Sequence, residues 1–398
     1  MEAKEEINSH KTCTPKAIIV LLIFIIFWIA SFIVIIILVK KTENYYDSYY
    51  LSDYIEEFEN GNDTGRKLIY RKIDVNKEHY ICDLNDTVRR TYVRYYNRYG
   101  IKLAGDLYIL KNLDKSKKHK AIIIGPPYGG VKEQGPSVYA NELSSRGYVV
   151  LTFGPSFNGE SVGKQRKVSS SDIFMEDFSA GVDYLGTLEY VDREKIGGIG
   201  ICGSGGFLLG AAIIDILIKA VITVVMYDIP DLNKNDNETD WNKTVENLKK
   251  LRWEDVDNGE SKYDIYYEPD REYLNGSFPS TPEEYDMWRI FYSTERGHHP
   301  RSTGGFTYTS LFSIGNLQIT NKIKKISPRP ILFITGDEAH SKDFSIDAFN
   351  NANEPKDFYQ VNMSTTHIDL YDNVTMIPFD KIDSFLNEYL EKEYYYGY

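Results

Sequence analysis

Gly197-Gly198-Ile199-Gly200-Ile201-Cys202-Gly203-Ser204-Gly205-Gly206 is the stretch on which the fold turns. The apolar run KIGGIGIC (195–202) leads into it and GGFLLGAAIID (205–215) leads out, so a buried strand passes directly into a helix. A nucleophile on so tight a turn needs small residues two before and two after it. Gly200 and Ser204 fill those places around Cys202. Ser204 is the rival nucleophile, since Cys202 and Gly206 flank it at the same spacing; Cys202 is favoured because it comes straight off the strand. The turn also sets the side chain at a helix N-terminus, whose dipole and free N–H groups favour a thiolate and would stabilise an oxyanion. A phosphate cradle fits less well, because no Lys-Ser/Thr pair follows and no G-x-G-x-x-G has a matching downstream acid.

Outward from this turn, short apolar runs alternate with helical stretches. AIIIG (121–125), YVVLTF (148–153), AVITVVMYD (220–228) and PILFITG (330–336) read as buried strands, with a short one at DFYQVN (357–362). SVYANELSSRG (137–147), SDIFMEDFSAGVDYLGTLEYV (171–191) and PFDKIDSFLNEYLEKE (378–393) read as helices. Such alternation predicts an α/β domain with a mostly parallel central sheet and helices on both faces. KLIYRKIDV (67–75) and TYVRYYNRYGIKLAGDLYIL (91–110) are richer in β-branched and aromatic residues and predict an antiparallel edge. The segment 229–319 breaks the rhythm. It carries WNKTVENLKKLRW and STPEEYDMWRIFYSTERG but no clear buried strand, and is expected to be a mostly helical cap over the sheet's C-terminal edge, where ligand crevices of parallel sheets lie.

A nucleophile needs a base, and among the histidines only His367 lies in a loop after the last predicted strand and before the last helix. That placement gives the chain order nucleophile, acid, histidine. For the acid, Asp337 leads over its neighbour Glu338, both directly after PILFITG, and Asp228 at the end of AVITVVMYD is a third candidate. The oxyanion donors are expected to be the N–H of Gly203, the residue after the nucleophile, and one from the loop Gly125-Pro126-Pro127-Tyr128-Gly129-Gly130. Proline has no N–H, so Tyr128 is the second donor.

With these residues in place, the chain resembles the α/β-hydrolase superfamily, and within it a dienelactone-hydrolase-like bacterial branch. The resemblance is carried by GPPYGGVKEQ (125–134), PSFNGESVGKQR (155–166), GICGSGG (200–206), GDEAHS (336–341) and HIDLYDN (367–373), and covers roughly Tyr92 to Leu390. It implies the α/β-hydrolase fold, hydrolysis of an ester or related acyl bond, Cys202 at the nucleophile position and His367 as the histidine. The branch's usual acid position, three residues past the glycine of the acid loop, is Ala339 here. Fold membership alone does not fix a substrate, so a catalytically silent binding protein and a peptidase of the same fold are the alternatives to an esterase.

Composition narrows the partners. Of 398 residues, 42% are hydrophobic, enough for a sizeable core, and the net charge of −12 without a basic, aromatic-interleaved block argues against nucleic acid. Cys13, Cys82 and Cys202 are too few and scattered for a disulfide framework or a CxxC metal site, so no cofactor and no metal are expected. Residues 17–39, AIIVLLIFIIFWIASFIVIIILV, carry no charge and are long enough to span a bilayer. Lys40-Lys41 follow in place of a cleavage site, so this reads as a signal anchor and not a removed signal peptide. The expected organisation is a short tail (1–16), a transmembrane helix (17–39), a polar stalk (40–66) and the hydrolase domain (67–398) with its cap at about 229–319. Lysines before the span and sequons beginning at Asn62, Asn85, Asn237, Asn242, Asn275, Asn362 and Asn373 favour an extracytoplasmic domain acting on a small-molecule acyl substrate.

Overall fold

The computed structural model describes residues 79–229, 238–263, 287–294, 296–302, 304–315, 319 and 321–394. Its strands are β1 (Val88–Tyr96), β2 (Lys102–Leu110), β3 (His119–Gly125), β4 (Val149–Phe153), β5 (Val191–Ile201), β6 (Ala220–Val224), β7 (Ile331–Gly336) and β8 (Lys356–Val361). They form one sheet in the order β1-β2-β4-β3-β5-β6-β7-β8. Only the β1/β2 and β2/β4 pairs are antiparallel; every later pair is parallel. The expected antiparallel edge and parallel centre are therefore both present.

The helices are α1 (Gly135–Ser145), α2 (Ser171–Thr187), α3 (Gly203–Ile214), α4 (Glu238–Asn258), α5 (Met287–Ser293), α6 (Leu311–Ile314), α7 (Lys342–Asn351), α8 (Asp369–Asp372) and α9 (Phe379–Tyr389). Side chains on a strand alternate between faces, so a strand covered on both sides must be apolar at every position. β3 obeys this rule. Ile123 packs with Leu151, Phe178 and Leu208 on one face, while Ile122 and Ile124 pack with Tyr139, Val150 and Ile199 on the other. All three isoleucines are fully buried.

β6 ends four residues sooner than its apolar run suggests. Val225 has φ of +42°, and the chain turns there before reaching Asp228. Of the predicted cap, α4, α5, α6 and an antiparallel bridge between Tyr263 and Thr307 are described. Residues of this insertion meet the loops at the carboxyl ends of the strands: Phe306 stacks on Tyr128 with ring centroids 4.1 Å apart, and Trp288 lies 4.9 Å from the His367 ring. The tail, the apolar run 17–39, the stalk and the predicted strand at 67–75 all lie outside the described residues. Among the described residues no helix is long and apolar enough to cross a membrane.

Candidate active site

Cys202 sits where β5 turns into α3, with φ of +56° and ψ of −124°. A non-glycine residue there is strained by about 1–3 kcal/mol, the usual state of a residue held at a strand-to-helix elbow. Two contacts enforce the turn: the Cys202 N–H donates to the Val224 carbonyl at 2.9 Å, and the Cys202 carbonyl accepts from the Tyr227 N–H at 3.1 Å. Gly200 is required beside it, since a Cβ there would lie inside the backbone of Ser204 and Gly205.

Three groups converge on the sulfur. The amide N–H groups of Tyr128 and Gly203 and the hydroxyl of Tyr371 are directed at it. Tyr128 comes from the loop after β3 and Gly203 begins α3, so the two predicted oxyanion amides and the predicted nucleophile meet at one point. Burial pushes the Cys202 thiol above its ordinary 9.0, and the three hydrogen bonds oppose that rise only in part. Ser204, the second residue of α3, is engaged elsewhere: its hydroxyl donates to the Pro126 carbonyl, and it lines a cavity of about 10 Å³ with Tyr128, Phe174, Phe178, Phe207 and Phe306. That volume holds roughly one water. Neither Cys202, itself 4% exposed, nor His367 lines the cavity.

His367 is fully buried in the loop between β8 and α8. Its Nε2 is 3.0 Å from the Tyr371 hydroxyl and its Nδ1 is 2.7 Å from the Ser341 hydroxyl. The proton positions follow from the neighbours. With the proton on Nδ1, Ser341 Oγ accepts from the ring at 2.7 Å and donates its one hydrogen to the Val225 carbonyl at 3.2 Å, so all three groups are satisfied. In a neutral imidazole Nε2 then holds the lone pair and takes the Tyr371 hydrogen. The Tyr371 oxygen is left to accept from the Cys202 thiol. One directed chain results: Cys202 to Tyr371 to His367 to Ser341 to the Val225 carbonyl. The left-handed backbone of Val225 aims that last carbonyl. Burial, reinforced by the neighbouring His340 ring stacked at 4.7 Å, holds the imidazole well below its usual range, so it is neutral.

The structure does not bring Asp337, the leading candidate for the acid, onto the His367 ring. The Asp337 carboxylate accepts the N–H groups of Thr365 at 2.6 Å and Ser364 at 3.2 Å, and these bonds hold it below the usual carboxylate range. The reason is register: β7 and β8 are parallel neighbours ending together at Gly336 and Val361, so Asp337 meets the amides of Ser364 and Thr365 in the loop after β8 and not the imidazole two residues further on. Glu338 is exposed and Asp228 is buried beyond β6, and both ring nitrogens are already taken by Ser341 and Tyr371. Ser341 therefore stands where a carboxylate was expected.

Tyr371 and Ser341 are the residues that the sequence reading passed over. Tyr371 follows His367 by four residues in a helical context, a spacing that stacks two side chains on one face. Ser341 closes the quoted GDEAHS but carries no charge to draw notice. A third is Arg296 of the insertion, whose guanidinium clasps both Asp372 oxygens at 2.8 Å and reaches Asp369 at 3.2 Å.

With this geometry established, related proteins can be set beside it. No family model matches the chain. Uncharacterized protein PA2218 of Pseudomonas aeruginosa is 43% identical over 315 residues, covering 77% of this chain and 82% of that protein. Its crystal structure superposes with a TM-score of 0.73 at 40% identity, over 79% of this chain and 97% of that one. Uncharacterized protein YcjY of Escherichia coli is 31% identical over 283 residues, 69% of this chain and 90% of that protein. The structure of α/β hydrolase GrgF from Penicillium shares the fold, with a TM-score of 0.63 at 20% identity, over 76% of this chain and all of that one. The chain belongs to one family with PA2218 and YcjY, and its fold is that of the α/β hydrolases.

Proposed function

We propose that this protein hydrolyses an ester, lactone or related acyl bond on a small molecule, with Cys202 as nucleophile, His367 as base and the Tyr128 and Gly203 amides holding the oxyanion. The convergence of those two N–H groups on the sulfur carries the reading. A carbonyl carbon bonded to that sulfur places its oxygen within reach of both donors, where developing negative charge is stabilised without reorganisation. Attack forms the C–S bond and moves the carbonyl π pair to oxygen; collapse expels the leaving group, and water later releases the acyl group. The uncharged run 17–39 supports a domain held at a membrane, extracytoplasmic by its flanking lysines.

Turnover of p-nitrophenyl acetate, a short thioester and a δ-lactone by the purified full chain tests this. Cys202→Ala is expected to abolish turnover with the melting temperature preserved. Persistence in that variant, with loss in Ser204→Ala, would move the nucleophile to Ser204. A second reading, a binding protein that keeps the fold without turnover, is favoured by the closed sulfur and by the lack, among the described residues, of a carboxylate on the imidazole. It gains if the wild type turns over none of the three probes.

A further inference from the structure

We propose that Tyr371 is a catalytic residue whose hydroxyl relays the proton from Cys202 to His367. The inference rests on Cys202 being the nucleophile. The Tyr371 hydroxyl is the group found at Nε2, at 3.0 Å, and it is also directed at the Cys202 sulfur. Lying against both, this oxygen offers the thiol proton a path to Nε2.

The phenol is held in place on every side. Tyr371 is fully buried, its ring packs edge-on to Phe291 at 5.3 Å, and its N–H donates to the Ile368 carbonyl at 2.9 Å. The preceding Leu370 carbonyl accepts from the Tyr139 hydroxyl at 2.7 Å. With Nδ1 donating to Ser341, Nε2 is the ring position that accepts, and it faces Tyr371.

The transfer balances. The S–H proton passes to the Tyr371 oxygen as the Tyr371 proton passes to Nε2, and the freed sulfur pair bonds the substrate carbonyl carbon. The phenol is neutral before and after. Both protons move together, because burial pushes the Tyr371 hydroxyl far above its ordinary value and a phenolate in that site is costly. When the tetrahedral adduct collapses, the leaving oxygen takes the Tyr371 proton and Nε2–H replaces it.

Three measurements on the full chain decide the point. With p-nitrophenyl acetate, the wild-type acylation rate plotted against deuterium mole fraction is expected to bow downward, as two protons in flight require; a straight line overturns the relay and needs no variant to fold. Tyr371→Phe, which keeps the ring, is expected to slow acylation by about 100-fold or more. Its residual deuterium dependence should be linear, and an unchanged acylation rate overturns the proposal. Independently of any turnover, iodoacetamide alkylation of Cys202 against pH should shift to higher pH in Tyr371→Phe, because the thiolate loses a donor. An unshifted profile counts against the relay. If Cys202→Ala still acylates, the nucleophile assignment itself fails, a result separable from a failure confined to Tyr371→Phe.

Discussion

At the scale of single residues, the site is built from neutral groups where an ionic arrangement was expected. A carboxylate against Nδ1 would stabilise the imidazolium formed on proton transfer, whereas Ser341 supplies only an oxygen lone pair. Its role is to fix the tautomer that leaves Nε2 basic. Ser341→Ala removes that acceptor and strands a buried N–H, which costs about 1–3 kcal/mol. Felt in the transition state, this is a loss of roughly 5- to 150-fold in acylation rate, read by stopped-flow release of p-nitrophenol. An unchanged rate would mean that the tautomer is set elsewhere. The thiol has its own signature. Because burial raises Cys202 above 9.0 and His367 offers no positive charge at neutral pH, its alkylation by iodoacetamide should keep climbing beyond pH 9.0. A plateau near neutrality would instead indicate a thiolate–imidazolium pair.

At the scale of elements, the short helix α8 connects the loop of His367, the proposed base, to the insertion. Asp369 accepts the Thr366 N–H at 3.0 Å and hydroxyl at 2.6 Å, which shapes the loop holding His367. Arg296 then ties Asp369 and Asp372 to the segment that also carries Trp288 and Phe306. The Arg296 side chain is 30% exposed, so a bidentate pair nominally worth 1.5–3 kcal/mol is discounted to about 1 kcal/mol of stability. Its larger effect is positional. Arg296→Ala is expected to lower the acylation rate by about tenfold while the melting temperature falls by only about 2–4 °C. Equal stability loss with full acylation would reduce the clasp to a purely structural tie.

At the scale of the whole molecule, the site occupies the end of the sheet where parallel strands deliver their loops, and its participants follow five different strands. Tyr128 follows β3, Cys202 follows β5, Val225 follows β6, Ser341 follows β7, and His367 and Tyr371 follow β8. The proposed attachment to a membrane is a property of residues 17–39, since among the described residues no helix can span one. Fractionation tests it: the full chain should remain with carbonate-washed membranes, and a chain lacking residues 1–41 should not. Release of the full chain by carbonate would dismiss the anchor.

What the amino-acid order settled alone were features with a local cause. Unbroken apolar runs such as AIIIG specify strands buried on both faces, the glycines around Cys202 specify a sharp elbow, and the prolines at 126 and 127 leave Tyr128 as the amide donor. Partners brought together across the sheet were beyond that reach. Whether Asp337 or Ser341 touches the imidazole depends on where β7 and β8 stop relative to each other, and the direction of the proton chain depends on a strained Val225 carbonyl more than a hundred residues from the serine it engages. Hydrogen bonds are short and directional, so a choice among nearby polar groups is made by angstrom-scale placement, which only the packed tertiary structure provides.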